Sequence, residues 1–169
     1  MSTIFIGMIL VFIGFDIHIG NSTIGLIPDF LGFIFMLNGI REIAGLSNHF
    51  RKVVPFIIGM IAYSAVIYVT NLLGVDFPLA LTILLGIGST FVPLVISYMI
   101  IMGVKDVEEH REQSLYSEDL HSAWVLLTLF SALSFVVFVV PVPGIIVLLL
   151  GFIAAVYYLY RFHKTKMAF

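Results

Sequence analysis

Cysteine is absent from the 169 residues, which excludes disulfides and thiolate metal sites. Charge is scarce as well. Eight Lys and Arg stand against ten Asp and Glu, and charged residues make up 11% of the chain, where a soluble domain carries about a quarter. A net charge of −2 is too small to argue for nucleic acid or another charged polymer as a partner. No HExxH, P-loop or dinucleotide fingerprint is present, so no cofactor is expected. "GIGST" at 86–90 resembles a Gly-x-Ser nucleophile only loosely, and it lacks a base. His49, His110, His121 and His163 lie in polar connections or the tail, and His18 lies near the opposite end. A hydroxyl nucleophile needs its base within hydrogen-bond reach, so the sequence argues against an enzyme.

Apolar residues are abundant, at 61%. A domain of this size still exposes much of its surface, so a soluble fold has too little interior to hide them. Lipid is therefore the expected solvent. A spanning helix needs about 20 mostly apolar residues. Six stretches qualify, near 3–19, 25–45, 53–73, 78–104, 121–140 and 144–162. "HIGNSTIG", "GVDFP" and "PVPG" make tight turns within pairs of them. The expected fold is an all-α polytopic membrane protein, with six transmembrane helices in three hairpins (3–45, 53–104 and 121–162) and a charged connection at 105–120. "MSTIFIGMILVFIGF" has no basic n-region and no small-x-small cleavage site, so it reads as an uncleaved first span.

Cations test this layout. Arg41, Arg51, Lys52, Lys105, Arg111, Arg161, Lys164 and Lys166 all fall in the two long connections and the C-terminal tail, and the tight turns have none. Lys and Arg stay on the cytoplasmic side. Both termini are thus expected in the cytoplasm of a bacterial cell membrane, with the tight turns outside. Tyr157, Tyr158, Tyr160 and Trp124 would form an aromatic belt at the inner interface. Pro93 should kink the long fourth span. Ser117, with Glu118 and Asp119 after it, reads as the start of the fifth helix.

"GLIPDFLGFI" at 25–34 aligns without gaps on "GIIVLLLGFI" at 144–153, and "LALTILLGIG" at 79–88 puts Gly86 in register with Gly32 and Gly151. This is a weak three-fold repeat of a kind common in transporters.

A single acid stands out. Gly25, Asp29, Gly32, Met36 and Gly39 follow steps of four, three, four and three, one helical face. Small residues on one face let membrane helices approach closely, so Asp29 is expected to face protein or a cavity. It precedes Arg41 by 12 residues, about 18 Å of helix, which puts it in the outer half of the membrane. A charge in hydrocarbon costs about 2.5–3.5 kcal/mol and by default marks function. The competing reading is structural: Pro followed by an acid suits a helix start. Gly7 and Gly14 carry a similar stripe on span one, which His18 would continue, so His18 is the expected partner of Asp29. Asp16 reads as interfacial, and Asn38 as a bond to a neighbouring helix. Asn71 and Asp76 would complete an outward polar cluster, Asp76 more simply as a turn residue. Asp16, His18 and Asp29 together also make a chemically admissible divalent-metal set.

"GLIPDFLGFIFMLNGIREIA" resembles the N-terminal hairpin of small membrane proteins of Gram-positive bacteria that carry an L-[IL]-P-D-F-[IL]-G signature. The resemblance covers about the first 45 residues and implies a bacterial plasma membrane. Length, span number and internal termini are similar to those of the substrate-capturing subunits of energy-coupling-factor transporters, in topology only. Gly7 and Gly14 stand where those subunits present an alanine pair at four-residue spacing. The expected function is binding or transport of a small solute or cation at an outward site made of Asp29, His18, Asp16 and Asn71. The alternative is a non-transporting accessory or immunity-type protein that docks on a membrane partner or a second copy.

Overall fold

The computed structural model describes residues 1–13, 16–19, 22–25, 28–75, 77–134 and 141–169, with the side chains of 16–19, 22–25, 79 and 141–145 outside the description. Helices follow the apolar runs: α1 (Ser2–Phe12), α2 (Asp29–Ile43), α3 (Asn48–Leu72), α4 (Leu79–Arg111), α5 (Ser117–Ser134) and α6 (Pro141–Ala168). Each packs on its neighbour in sequence, and α6 also meets α1.

Local chemistry sets the boundaries. Pro28 is extended (φ −61°, ψ 131°) and delivers the chain into α2, whose first turn holds Asp29. Ser47 caps α3, its Oγ accepting from the His49 N–H at 3.0 Å. Gly74, at φ 66°, follows the end of that helix. Pro78 precedes α4, and Glu112 closes it in the left-handed region at φ 51°. The helix is continuous through Pro93, where the Ser97 hydroxyl donates to the Pro93 carbonyl at 2.7 Å.

Between α1 and α2 the chain departs from the expected helical hairpin. Helix α1 stops at Phe12, and β1 (Asp16–Ile19) pairs antiparallel with β2 (Ser22–Gly25). Ile17, Ile19, Thr23 and Ile24 are β-branched and favour extended backbone. Helices α1 and α2 have 11 and 15 residues, about 16 and 22 Å long, against a hydrocarbon core of about 30 Å. Among the described residues, three helices are long and apolar enough to cross a membrane: Asn48–Leu72, Ala80–Arg111 and Ile146–Ala168. Part of the span expected at 121–140 lies beyond Ser134, outside the described residues.

The surface is apolar. No more than 28% of the most apolar stretch of any of these three helices is buried within the protein. Val66, Leu72, Leu84, Ile146, Leu149 and Ile153 face outward, as expected when the solvent is lipid. All eight cations sit at one end of the bundle. Asp119 pairs with Arg161 at 2.7 Å, Lys164 covers the Tyr116 ring, and Lys166 covers Phe5. Phe5 stacks on Phe162, so the two chain ends share that side.

Tyr158 is fully buried within the bundle, packed on Phe12 and Phe162. Trp124 is half-buried and joins α5 to α4, its indole N–H donating to the Leu94 carbonyl at 3.0 Å.

Helix α4 has 33 residues, about 50 Å, and its polar C-terminal turns project beyond a hydrocarbon core of about 30 Å. There Glu108 holds the turn into α5. Its Oε1 accepts from the Leu115 N–H at 2.8 Å and its Oε2 from the Ser117 N–H at 3.1 Å. Burial raises the Glu108 carboxyl, but hydrogen bonds from Ser117 and the backbone outweigh it and leave it below the usual glutamate range. A depressed carboxylate adds stability above its unfolded pKa of about 4.3, and that stability is lost as pH falls through the folded value. Glu108→Gln is expected to speed amide exchange at Leu115 and Ser117 about tenfold at neutral pH, since charged hydrogen bonds are the stronger ones. It should also remove the acid-induced loss of protection expected at these amides in the wild type. Unchanged exchange in the variant would show that Glu108 does not hold the turn.

Candidate functional site

In α3 the buried residues are Phe50, Val53, Ile57 and Met60, all in the first half of the helix. Among the described side chains of α4, burial begins only at Pro93 and Leu94. The two helices are therefore enclosed at the cationic end and open at the other. A cavity of about 370 Å³ occupies the open end. One wall is α3, through Met60, Ser64, Ile67 and Asn71 at helical spacing, and the facing wall is α4, through Thr82, Gly86, Ser89 and Pro93. Val11, Pro28, Asp29 and Phe33 close it from the α1–α2 side. Tyr68 lines it too and packs edge-on against Phe30, which ties α2 to α3. Strand β2 runs beside α3.

Asp29 is an exposed residue in the first turn of α2 and lines this cavity. The two readings of it from sequence are therefore compatible. The helix N-terminus favours a negative charge there, and the same carboxylate faces the open space. Asn71 lies on the α3 wall. The hydroxyls around them spend their protons on nearby carbonyls. Tyr63 donates to Leu85 at 2.7 Å, Ser64 to Met60, Thr82 to Pro78 at 3.3 Å and Ser89 to Gly86 at 2.9 Å. Their lone pairs remain as acceptors. No Lys, Arg or His is among the described lining residues. The described lining is rich in acceptors and contributes one carboxylate, which suits a ligand that donates hydrogen bonds and carries positive charge.

Asp16 and His18 belong to β1, so His18 does not continue a helical stripe from α1. Their side chains, and all of Asp76, lie outside the described residues, as does any contact of His18 with Asp29. Among the described residues no three His, Asp or Glu side chains form a metal-holding group. Asn38 is exposed and makes no hydrogen bond among the described residues, which corrects its expected role between helices.

The glycine stripe has a structural purpose. A Cβ on Gly7 would lie 2.5 Å from the Gly32 carbonyl oxygen, and one on Gly39 would lie 2.8 Å from the Ile4 nitrogen. These glycines let α1 and α2 touch backbone to backbone. Gly86, in register with Gly32 by sequence, meets nothing within 4 Å and lines the cavity instead. The repeat alignment thus equates two glycines with different surroundings.

Sequence reading missed Tyr63, Ser64, Thr82 and Ser89. The available signal was the spacing of Ser64 and Asn71, and of Thr82 and Ser89, seven residues apart on facing helices. At the cationic end, Asp106 Oδ2 accepts from the Ser47 hydroxyl and lies 2.8 Å from His49 Nδ1. This trio joins α3 to α4. Ser47 is bonded to the carboxylate rather than to the imidazole ring, so the nucleophile–base contact of a hydrolase is missing. The chain matches no family model, no curated protein and no solved structure.

Proposed function

We propose that this chain is a six-span membrane protein with both termini in the cytoplasm, whose outward cavity binds a small solute or cation through Asp29. One observation carries the reading: Asp29 and Asn71, on different helices, line the same acceptor-rich cavity. Its volume of about 370 Å³ falls in the range of small-molecule sites, about 300–1,000 Å³. Gathering of every Lys and Arg at the far end supports an outward-facing mouth. Transport is the broader form of the proposal, because an acid at membrane depth is the usual coupling group of proton- and cation-linked carriers.

Asp29→Asn keeps the shape and removes the charge. In proteoliposomes screened with radiolabelled small cations and solutes, it is expected to lower uptake of the active substrate at least tenfold. Wild-type uptake across every active substrate would overturn the reading. The accessory alternative, docking on a membrane partner or a second copy, relied on the glycine stripes and on the charged 105–119 segment for cytoplasmic contact. Gly7, Gly32 and Gly39 are taken up by the α1–α2 contact, which leaves the charged segment and the stripe of the last span to carry that alternative.

A further inference from the structure

A second opening shares a wall with the cavity. It is a groove of about 430 Å³ lined by Pro55, Phe56, Gly59, Gly88 and Val92, together with Met60 and Tyr63, which also line the cavity. Among the described residues the groove has no charged side chain, and its single hydroxyl, that of Tyr63, is bonded to the Leu85 carbonyl at 2.7 Å. Tyr63 thus reaches from α3 to α4 and separates the chamber that Asp29 lines from an apolar one. A Cβ on Gly59 or on Gly88 would meet nothing within 4 Å, so both glycines leave space in the groove. Phe56 and its neighbour Ile58 are exposed on the same helix, where the solvent is lipid.

The two chambers ask for different chemistry. Asp29 and the hydroxyl oxygens offer acceptors and negative charge, and an ammonium group has three donors and no acceptor. The groove offers only apolar contact, which a hydrocarbon chain fills and a hydrated ion does not. We propose that the site takes an amphiphile with one ammonium head and one hydrocarbon tail. The head lies against Asp29, and the tail passes Tyr63 into the groove between Pro55 and Val92. This rests on the cation-binding reading of Asp29 and narrows it to lipophilic amines that reach the site from the bilayer.

The full-length protein in phosphatidylcholine nanodiscs tests the inference. The probe is dodecylammonium carrying a diazirine at the chain end, with the matching dodecanol probe as the control for partitioning into lipid. Labelling is expected on 55–63 and 86–93, at least tenfold above that by the alcohol. Asp29→Asn should lower it about tenfold. Gly88→Leu, which fills the groove, should also lower it about tenfold yet leave methylammonium binding, followed by saturation-transfer NMR, at the wild-type level. Gly59→Leu repeats the test from the facing helix if Gly88→Leu disturbs the fold. Labelling that ignores both groove variants, with methylammonium binding still dependent on Asp29, would overturn the amphiphile and leave the small-cation reading. Labelling and methylammonium binding both indifferent to Asp29→Asn would overturn both.

Discussion

Gly7→Ala is expected to destabilise the protein by about 3 kcal/mol, and Gly7→Leu to prevent recovery of folded protein from membranes. The reason lies in what the new atom would meet. A Cβ at Gly7 would come within 2.5 Å of the Gly32 carbonyl oxygen and 2.8 Å of the Met36 nitrogen. Both are backbone atoms of α2, so no rotamer change relieves the clash. Helix α2 would have to move away and give up the contacts of Ile4, Met8, Phe33 and Met36, all fully or almost fully buried. Helices in lipid gain little from the hydrophobic effect and associate through close packing, which is what such a displacement removes. Gly59→Ala is the matched control. Its Cβ meets nothing within 4 Å, and alanine is the better helix former by about 1 kcal/mol. Unfolding midpoints in a detergent titration should fall for Gly7→Ala and hold or rise for Gly59→Ala. Equal midpoints would show that α1 and α2 do not touch at Gly7.

Tyr158→Ala should cost about 3–5 kcal/mol, the range for removing a large buried aromatic. Tyr158 has no exposed surface, and its ring lies 5.8 Å from that of Phe12 and 6.3 Å from that of Phe162. Through Phe12 it attaches α6 to α1, which joins the last helix to the first. The cavity left by alanine would open at that seam. Tyr158→Phe tests whether packing or polarity matters. Its hydroxyl reaches the Met8 sulfur at 3.8 Å, a weak acceptor, so the loss should stay below about 1 kcal/mol. Chemical unfolding that ranks phenylalanine with alanine would assign the position to its hydroxyl instead.

How much could be read in advance varied with the physics of each segment. Long apolar runs are read by composition, so α3, α4 and α6 were visible. The one-ended cations were visible for the same reason, because their placement is a solvation effect. The β-hairpin was missed because Ile17, Ile19 and Ile24 raise hydropathy as well in a strand as in a helix. Over so short a run, periodicity does not separate the two. Asp29 and Asn71 were found as isolated polar residues at the end of the bundle away from the cations. Ser64 and Ser89 escaped because hydroxyls in membrane helices usually bond their own backbone, as Ser64 does in α3 and Ser89 in α4, and Tyr63 escaped because its bond crosses from α3 to Leu85 of α4. That α3 and α4 stay open around them depends on packing between helices distant in sequence, and no local pattern encodes it.

The absence of cysteine makes the central claim directly measurable. With Asn71→Cys or Gln113→Cys as the single thiol, intact cells are treated with a membrane-impermeant maleimide. Cys at 71 should label from outside and be protected by the cation that the cavity binds, while Cys at 113 should label only after permeabilisation. Labelling of both from the same side, or of 113 alone from outside, would contradict an acidic cavity that opens outward at the end of the bundle opposite its cations.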